Sequence, residues 1–122
     1  MKGGKGLASR LRERVTIQEP NLVDNRRGGR RAPDGQDRWR DVESGVPAEV
    51  IPLRGDEALR SSVERSIQIW RVEMRHRVGL TTGHRLVWES YQLGDVEMNI
   101  RSIAPNSTRD GIVMTCESGL PS

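Results

Sequence analysis

Short stretches in which apolar and polar side chains alternate make up most of this sequence. Arg14–Pro20 (RVTIQEP) sets Val15 and Ile17 against Thr16 and Gln18, the period-2 pattern of a half-buried strand that Pro20 ends. In GVPAEVIPL, Val46, Ala48 and Val50 share a face, while Pro47 and Pro52 put that strand at a sheet edge or break it. IQIWRVEMRHRV is less regular, with Ile67 and Ile69 on one face and Trp70, Val72 and Met74 on the other. The switch predicts either a β-bulge between Ile69 and Trp70 or burial of both faces. RLVWES and VEMNIRSIAP are two further strands, the second with Val96, Met98 and Ile100 in register. YQLGD turns between them, with Gly94 free to take positive φ. After a second turn, PNSTRDG, the segment IVMTCE places Ile112, Met114 and Cys116 on one face. One segment has a different spacing. In GDEALRSSVERS, Asp56 can cap a first turn, Glu57 suits the positive helix end, and Leu59 and Val63 lie four apart. That predicts a short helix from about Glu57 to Arg65.

The fold class is therefore mainly β: five or six short antiparallel strands forming a small sandwich or barrel, with one short α-helix between the second and third. Between the first two strands runs NLVDNRRGGRRAPDGQDR, Asn21–Arg38, which holds five arginines and three glycines. The expected organisation is a flexible basic N-terminal arm over residues 1–10, one domain over residues 11–119 that includes this long loop at 21–38, and a tail end at 120–122.

Composition adds two constraints. Of 122 residues 34 % are hydrophobic, with three Trp, one Tyr and no Phe, a thin supply for a self-sufficient core. A partner or an oligomer is expected to contribute to stability. The net charge of +3 hides an asymmetry: residues 1–40 carry eleven Lys/Arg against five Asp/Glu, and residues 41–122 carry nine against twelve. Opposed halves suit a directed electrostatic surface or a head-to-tail contact between copies, or simply a solvated basic end. A single cysteine allows no internal disulfide and fits a reducing compartment. No apolar run approaches the roughly 18 residues that span a bilayer, and the N-terminus lacks the apolar stretch of a signal peptide, so neither a membrane nor secretion is expected.

Chemistry is sparse. His76 and His84 have no Cys or His at metal-ligand spacing, so no metal is expected. Cys116 shares a face with Met114 and Ile112, the setting of a small buried hydrophobe and not of a nucleophile. GGKG lacks the Ser/Thr that a phosphate loop carries after its lysine, and RGD at Arg54–Asp56 reads as helix entry. No carboxylate pair can be placed in one cleft, and neither catalysis nor a cofactor is expected. Arg26, Arg27, Arg30 and Arg31 could neutralise phosphates without reading sequence. The stacking aromatics of a single-strand binder are missing, since Trp39, Trp88 and Tyr91 are scattered and Trp70 points to the core.

In order, LRERVTIQEP, WRDVESGVPAEVIPLRGDE and HRLVWES…MNIRSIAPN…GIVMTCESG resemble the head–tail joining family of tailed phages, also called head-closure or stopper proteins. The likeness runs from about Leu11 to Gly119. Arg14, Val15, Ile17 and Gln18 match its first motif; Ala48, Val50, Leu53, Gly55 and Glu57 the second; Arg85, Ile103 and Cys116 the third. These are mainly fold-defining positions. The loop centred on RRGGRRAPDG is longer and richer in arginine than the family pattern, and SYQLGDV is also extended.

The resemblance implies a structural subunit, not an enzyme, of a phage or of a gene transfer agent. It would be assembled in the host cytoplasm into a homo-oligomeric ring in the neck of the particle. A portal or adaptor ring would lie above it and a tail-terminator or tail protein below. The ring would close the DNA channel and dock the tail. An adaptor or tail-terminator ring is an alternative, as is a small β-barrel nucleic-acid-binding module. In a closed ring Arg26, Arg27, Arg30 and Arg31 would gather near one axis, facing packaged double-stranded DNA or an acidic neighbouring ring. The other reading of Asn21–Arg38 is a disordered surface loop with no DNA contact.

Overall fold

The computed structural model describes residues 6–21, 38–53 and 67–119, together with the backbone of 23–24 and 30–31. The helix expected from about Glu57 to Arg65 lies outside the described residues. A four-residue helix, α1 (Leu7–Arg10), precedes the strands β1 (Glu13–Pro20), β2 (Val23–Asp24), β3 (Arg30–Arg31), β4 (Trp39–Pro52), β5 (Gln68–Arg75), β6 (Arg85–Ser90), β7 (Gly94–Pro105) and β8 (Gly111–Ser118). Six of the strands form a closed antiparallel barrel in the order β1-β4-β5-β8-β7-β6, while β2 and β3 pair separately. Closure comes from β1 pairing with β6, Val15 opposite Trp88 and Gln18 opposite Arg85.

The alternating positions face inward as their pattern requires. Val15, Ile17, Val46, Ala48, Trp70, Val72, Met74, Leu86, Trp88, Met98, Ile100, Ile112, Met114 and Cys116 make one core cluster. Four of its largest fully buried side chains are Met74, Leu86, Met98 and Met114, which fill irregular space where phenylalanine is lacking. Trp70 and Trp88 meet edge to face with ring centroids 5.1 Å apart. Each indole N–H finds an oxygen at 2.9 Å, Trp70 on the Ser118 hydroxyl and Trp88 on the Glu13 carboxylate.

The prolines of β4 are tolerated because the strand changes partner halfway. Trp39–Ala48 pairs with β1, and Glu49–Pro52 pairs with β5. Each half thus has one ladder only, and Pro47 and Pro52 need no second donor. Gly45, with φ of 67°, lies where the β1–β4 register shifts between the Val15 and Ile17 pairs, a bulge that positive φ favours.

No bulge interrupts β5 at Ile69/Trp70; its ladder with β8 is continuous from Gln68 to Arg75. Burial on both faces explains the mixed pattern instead. The inner face carries Trp70, Val72 and Met74, and on the outer face Glu73 is only 2 % exposed. A bulge does occur in β7 between Ile100 and Ser102. It moves the inward set from even to odd positions and brings Ile103 against the core.

Glu73 is buried because α1 covers it. Part of the arm expected over residues 1–10 therefore packs on the barrel: Leu7 and Leu11 are buried, and Arg10 reaches over the sheet. Arg10 Nη1 donates to Glu73 Oε1 at 2.8 Å and to Glu49 Oε1 at 2.9 Å, and its Nη2 to Glu73 Oε2 at 3.2 Å. Arg71 Nη2 adds a bond to Glu73 Oε1 at 3.0 Å and Asn106 Nδ2 one to Oε2 at 2.9 Å. Asn106 also binds Asp110 through both ends of its amide, at 2.8 and 3.1 Å, fixing the β7–β8 turn. Thr108, then Asn106, hold the Asp110 carboxyl below its usual range through their hydrogen bonds.

The hydrogen bond from Arg10 is the largest influence on Glu73 and outweighs desolvation, holding its carboxyl at about 2 against an ordinary 4.5. A depressed carboxylate stabilises the fold fully above its unfolded value and loses that contribution as pH falls through the folded one. Stability should therefore drop by about 3 kcal/mol between pH ~4.5 and ~2 from this group alone. Replacing Arg10 with Met should cost about 3 kcal/mol at neutral pH, by leaving a buried charge underpaired, and should flatten that acid limb. Urea unfolding as a function of pH measures both. An unchanged acid limb in the variant would remove Arg10 from this role.

Gly111 opens β8 beneath the same cover. A Cβ there would run into the Met74 carbonyl and lie 3.0 Å from both Asn106 Nδ2 and Leu7 Cδ2. Gly111→Ala should lower stability by about 1–3 kcal/mol in thermal unfolding, through backbone crowding and not through loss of any polar group.

Candidate functional site

Beyond the Gln18–Arg85 pair, β1 leaves β6 and runs on with β4 as its strand partner, Pro20 opposite Trp39. The result is a two-stranded arm rooted in the barrel wall. Residues 40–45 of β4 are exposed without alternation, since neither face of the arm meets the core. A two-stranded ribbon has little stability by itself, so its root needs side-chain support. Gln18 Nε2 donates to Asp41 Oδ1 at 2.8 Å, and Arg40 Nη2 lies 3.1 Å from Glu19 Oε1. Arg85 stacks its guanidinium 4.5 Å from the centroid of the Trp39 ring and donates from Nε to Gln18 Oε1 at 2.7 Å. The stack and the hydrogen bonds tie β6 to both strands of the arm.

The Asn21 amide then donates to the Arg38 carbonyl at 2.7 Å, a further rung. Residues 22–37 are therefore an excursion from a hairpin. Arg30 and Arg31 form β3, antiparallel to β2, with Arg30 opposite Asp24 and Arg31 opposite Val23. Arg26 and Arg27 lie outside the described residues.

The other positions singled out from the sequence divide by role. Val15, Ile17, Ala48 and Cys116 are buried in the core, and Val50 and Ile103 pack against it. The Leu53 amide donates to the Ile69 carbonyl at 2.9 Å and extends the β4–β5 ladder past Pro52. Arg14 is exposed; its Nη1 donates to the Glu13 carbonyl at 3.0 Å. Gly55 and Glu57 lie outside the described residues. Gln18 and Arg85 differ from the rest, since they hold the arm. Sequence reasoning missed Trp39, Arg40 and Asp41 as their partners, because the contacts follow from hairpin register across a long insertion and leave no local signal.

Burial pushes the Cys116 thiol up to about 12, which keeps it protonated and unreactive in the core. His84 is engaged locally, its Nδ1 accepting from the Thr81 amide at 3.1 Å. Among the described residues no group of three or more His, Cys, Asp or Glu could hold a metal ion, and no helix is long and apolar enough to cross a membrane. What the geometry offers is a rigid barrel, an arm carrying an arginine-rich segment, and open surface on which other proteins can seat.

The comparisons agree with that architecture. A search of the curated proteins finds no match. Among solved structures the chain is similar to the solution structure of protein SF1141 from Shigella flexneri 2a, with 24 % identity and a TM-score of 0.70. The match covers 96 % of this chain and 100 % of that one, and it establishes the fold alone. The family model of the phage head completion protein matches residues 7–119, from the first residue of α1 to the end of the last strand. With nearly its whole length matched, the chain belongs to the phage head completion protein family.

Proposed function

We propose that the protein is a head-closure (stopper) subunit that forms a ring in the neck of a phage or of a gene transfer agent. Family membership carries the coarser part: a structural component of the virion, in contact with other virion proteins. The finer part is a ring between the portal or adaptor above and the tail proteins below, closing the DNA channel and docking the tail. One observation carries that reading: the arginine-rich segment is held on a braced hairpin arm of a closed barrel. In a ring, equivalent arms from all copies converge on one axis, and their guanidinium groups repel one another unless a counter-charge is present. Packaged double-stranded DNA or an acidic ring surface supplies that counter-charge.

Arginine suits non-specific contact with the phosphate backbone, which needs positive charge and no base readout. The barrel adds no reading surface, because Trp70 and Trp88 are in the core. Without a stacking platform, the single-strand-binding alternative has less support.

Replacement of Arg26, Arg27, Arg30 and Arg31 by serine should leave the unfolding midpoint of the isolated protein nearly unchanged, since exposed charges contribute about 0–1 kcal/mol each. The yield of filled, tailed particles should fall. Parental yield from the quadruple variant would refute a channel role for the segment and leave it as a surface loop.

A further inference from the structure

Among the described residues, five large hydrophobic side chains stand in solvent: Val42, Ile51, Val78, Tyr91 and Leu93. Four of them fall into two groups. Val42 and Val78 line, with Ile17 and Leu80, an open cleft of about 550 Å³ between the root of the arm and the loop after β5. Tyr91 and Leu93 stand on the tip of the β6–β7 turn, 101 % and 61 % exposed. A tyrosine with no contact of its own is a costly thing to leave in water, and its ring would bury about 150–250 Å² on docking.

The groups sit at opposite ends of β6. His84, on the cleft, precedes its first residue, and Tyr91 follows its last. Six extended residues separate them by about 20 Å, so a subunit cannot fill its own cleft with its own tip. A second copy can.

Charge follows the same division. From Arg75 to Arg85 the chain carries three arginines and two histidines and no carboxylate, whereas from Glu89 to Glu97 it carries three carboxylates and no basic residue. Some of these charges are already used within the subunit: Arg77 meets Glu43 at 2.6 Å, and Arg85 meets Glu97 at 3.4 Å. Arg75 on the one side, and Glu89 and Asp95 on the other, have no ion-pair partner among the described residues. Apolar tip and apolar cleft thus come with unspent charges of opposite sign.

We infer that the β6–β7 tip of one copy seats in the cleft beneath the 76–84 loop of the next, with Tyr91 and Leu93 against Val42, Val78 and Leu80. The contact joins two different patches, so it propagates head to tail and closes into a ring when the rotation permits. The inference rests on the ring reading proposed above and supplies its interface. One tip in one cleft buries well under the roughly 800 Å² per partner of a stable complex. A single contact is therefore weak, and a closed circuit of them, arranged on a neighbouring ring, gains by multivalency.

Disulfide trapping of the purified full chain tests the geometry. Val78→Cys and Leu93→Cys, mixed under mild oxidation, should give a covalent heterodimer, and the double variant a ladder of dimers, trimers and higher species. Native Cys116 does not compete, being fully buried. Adding Tyr91→Asp to the Leu93→Cys chain should cut the yield about ten-fold or more, the loss set by about 1.4 kcal/mol of contact energy. The substituted side chains are exposed or at the cleft rim, and circular dichroism confirms that each variant is folded. Overturning results are a heterodimer yield no greater than that of Val78→Cys with Ser107→Cys on the exposed β7–β8 turn, indifference to Tyr91→Asp, or a ladder that stops at the dimer. Counting copies per particle judges the ring reading separately. Several copies without trapping would leave the ring standing and remove this interface, and one copy would remove the ring.

Discussion

When β1 pairs with β6 over Val15–Gln18, a curled sheet that would end in two raw edges becomes a closed wall, and much else follows from that contact. Closure sets Trp88 beside Trp70 in the core and brings Arg85 under the Trp39 ring. It also decides where β1 stops belonging to the barrel. Up to Gln18 the strand has a neighbour on each side; past it, β4 alone remains, and the chain leaves as an arm. The same strand thus seals the core and launches the segment through which the protein is proposed to work.

The start of β1 is secured differently. Glu73 points away from the core, where a carboxylate would ordinarily stay in water. Here α1 covers it, and Arg10, Arg71 and Asn106 satisfy both its oxygens. Removing two charges from water costs several kcal/mol per ion, so such a pair tolerates no missing partner. It serves position more than net stability: it registers α1, β5 and the β7–β8 turn against one another at the end of the barrel where β1 begins. A barrel with a thin supply of large apolar groups gains from a polar clamp of this kind, because the clamp defines one arrangement where methionine packing alone would allow several.

Assembly and folding draw on separate parts of the chain. Core positions fill the barrel, while Tyr91, Leu93, Val42 and Val78 remain outside it, in company with charges that have no use within the subunit. That separation suits a component that must first fold as a small soluble barrel and later join others, since weak patches do not aggregate prematurely yet act together on a template.

The strands were legible from the sequence because alternation is a local property: Val15/Ile17, Val46/Ala48, Met98/Ile100 and Ile112/Met114/Cys116 each state their inward face within a few residues. Gly94 announced its turn, and it has φ of 76°. The arginine-rich loop was recognisable as an insertion between two strands by composition alone. What only the tertiary structure decided depends on residues far apart in the chain. The β7 bulge that turns Ile103 inward is set by its ladder with β8. The mixed pattern of β5 made sense only once α1 was seen covering its outer face, because Arg10 and Glu73 are 63 positions apart and neither has a local partner that would reveal the pair. The bracing of the arm by Gln18, Asp41, Trp39 and Arg85 likewise needed the register of a hairpin with a long insertion and the closure of the barrel behind it. Local patterning determines which face of each strand is buried; ion pairs, bulges and arms are determined by which strand lies next to which, and that is a property of the closed barrel.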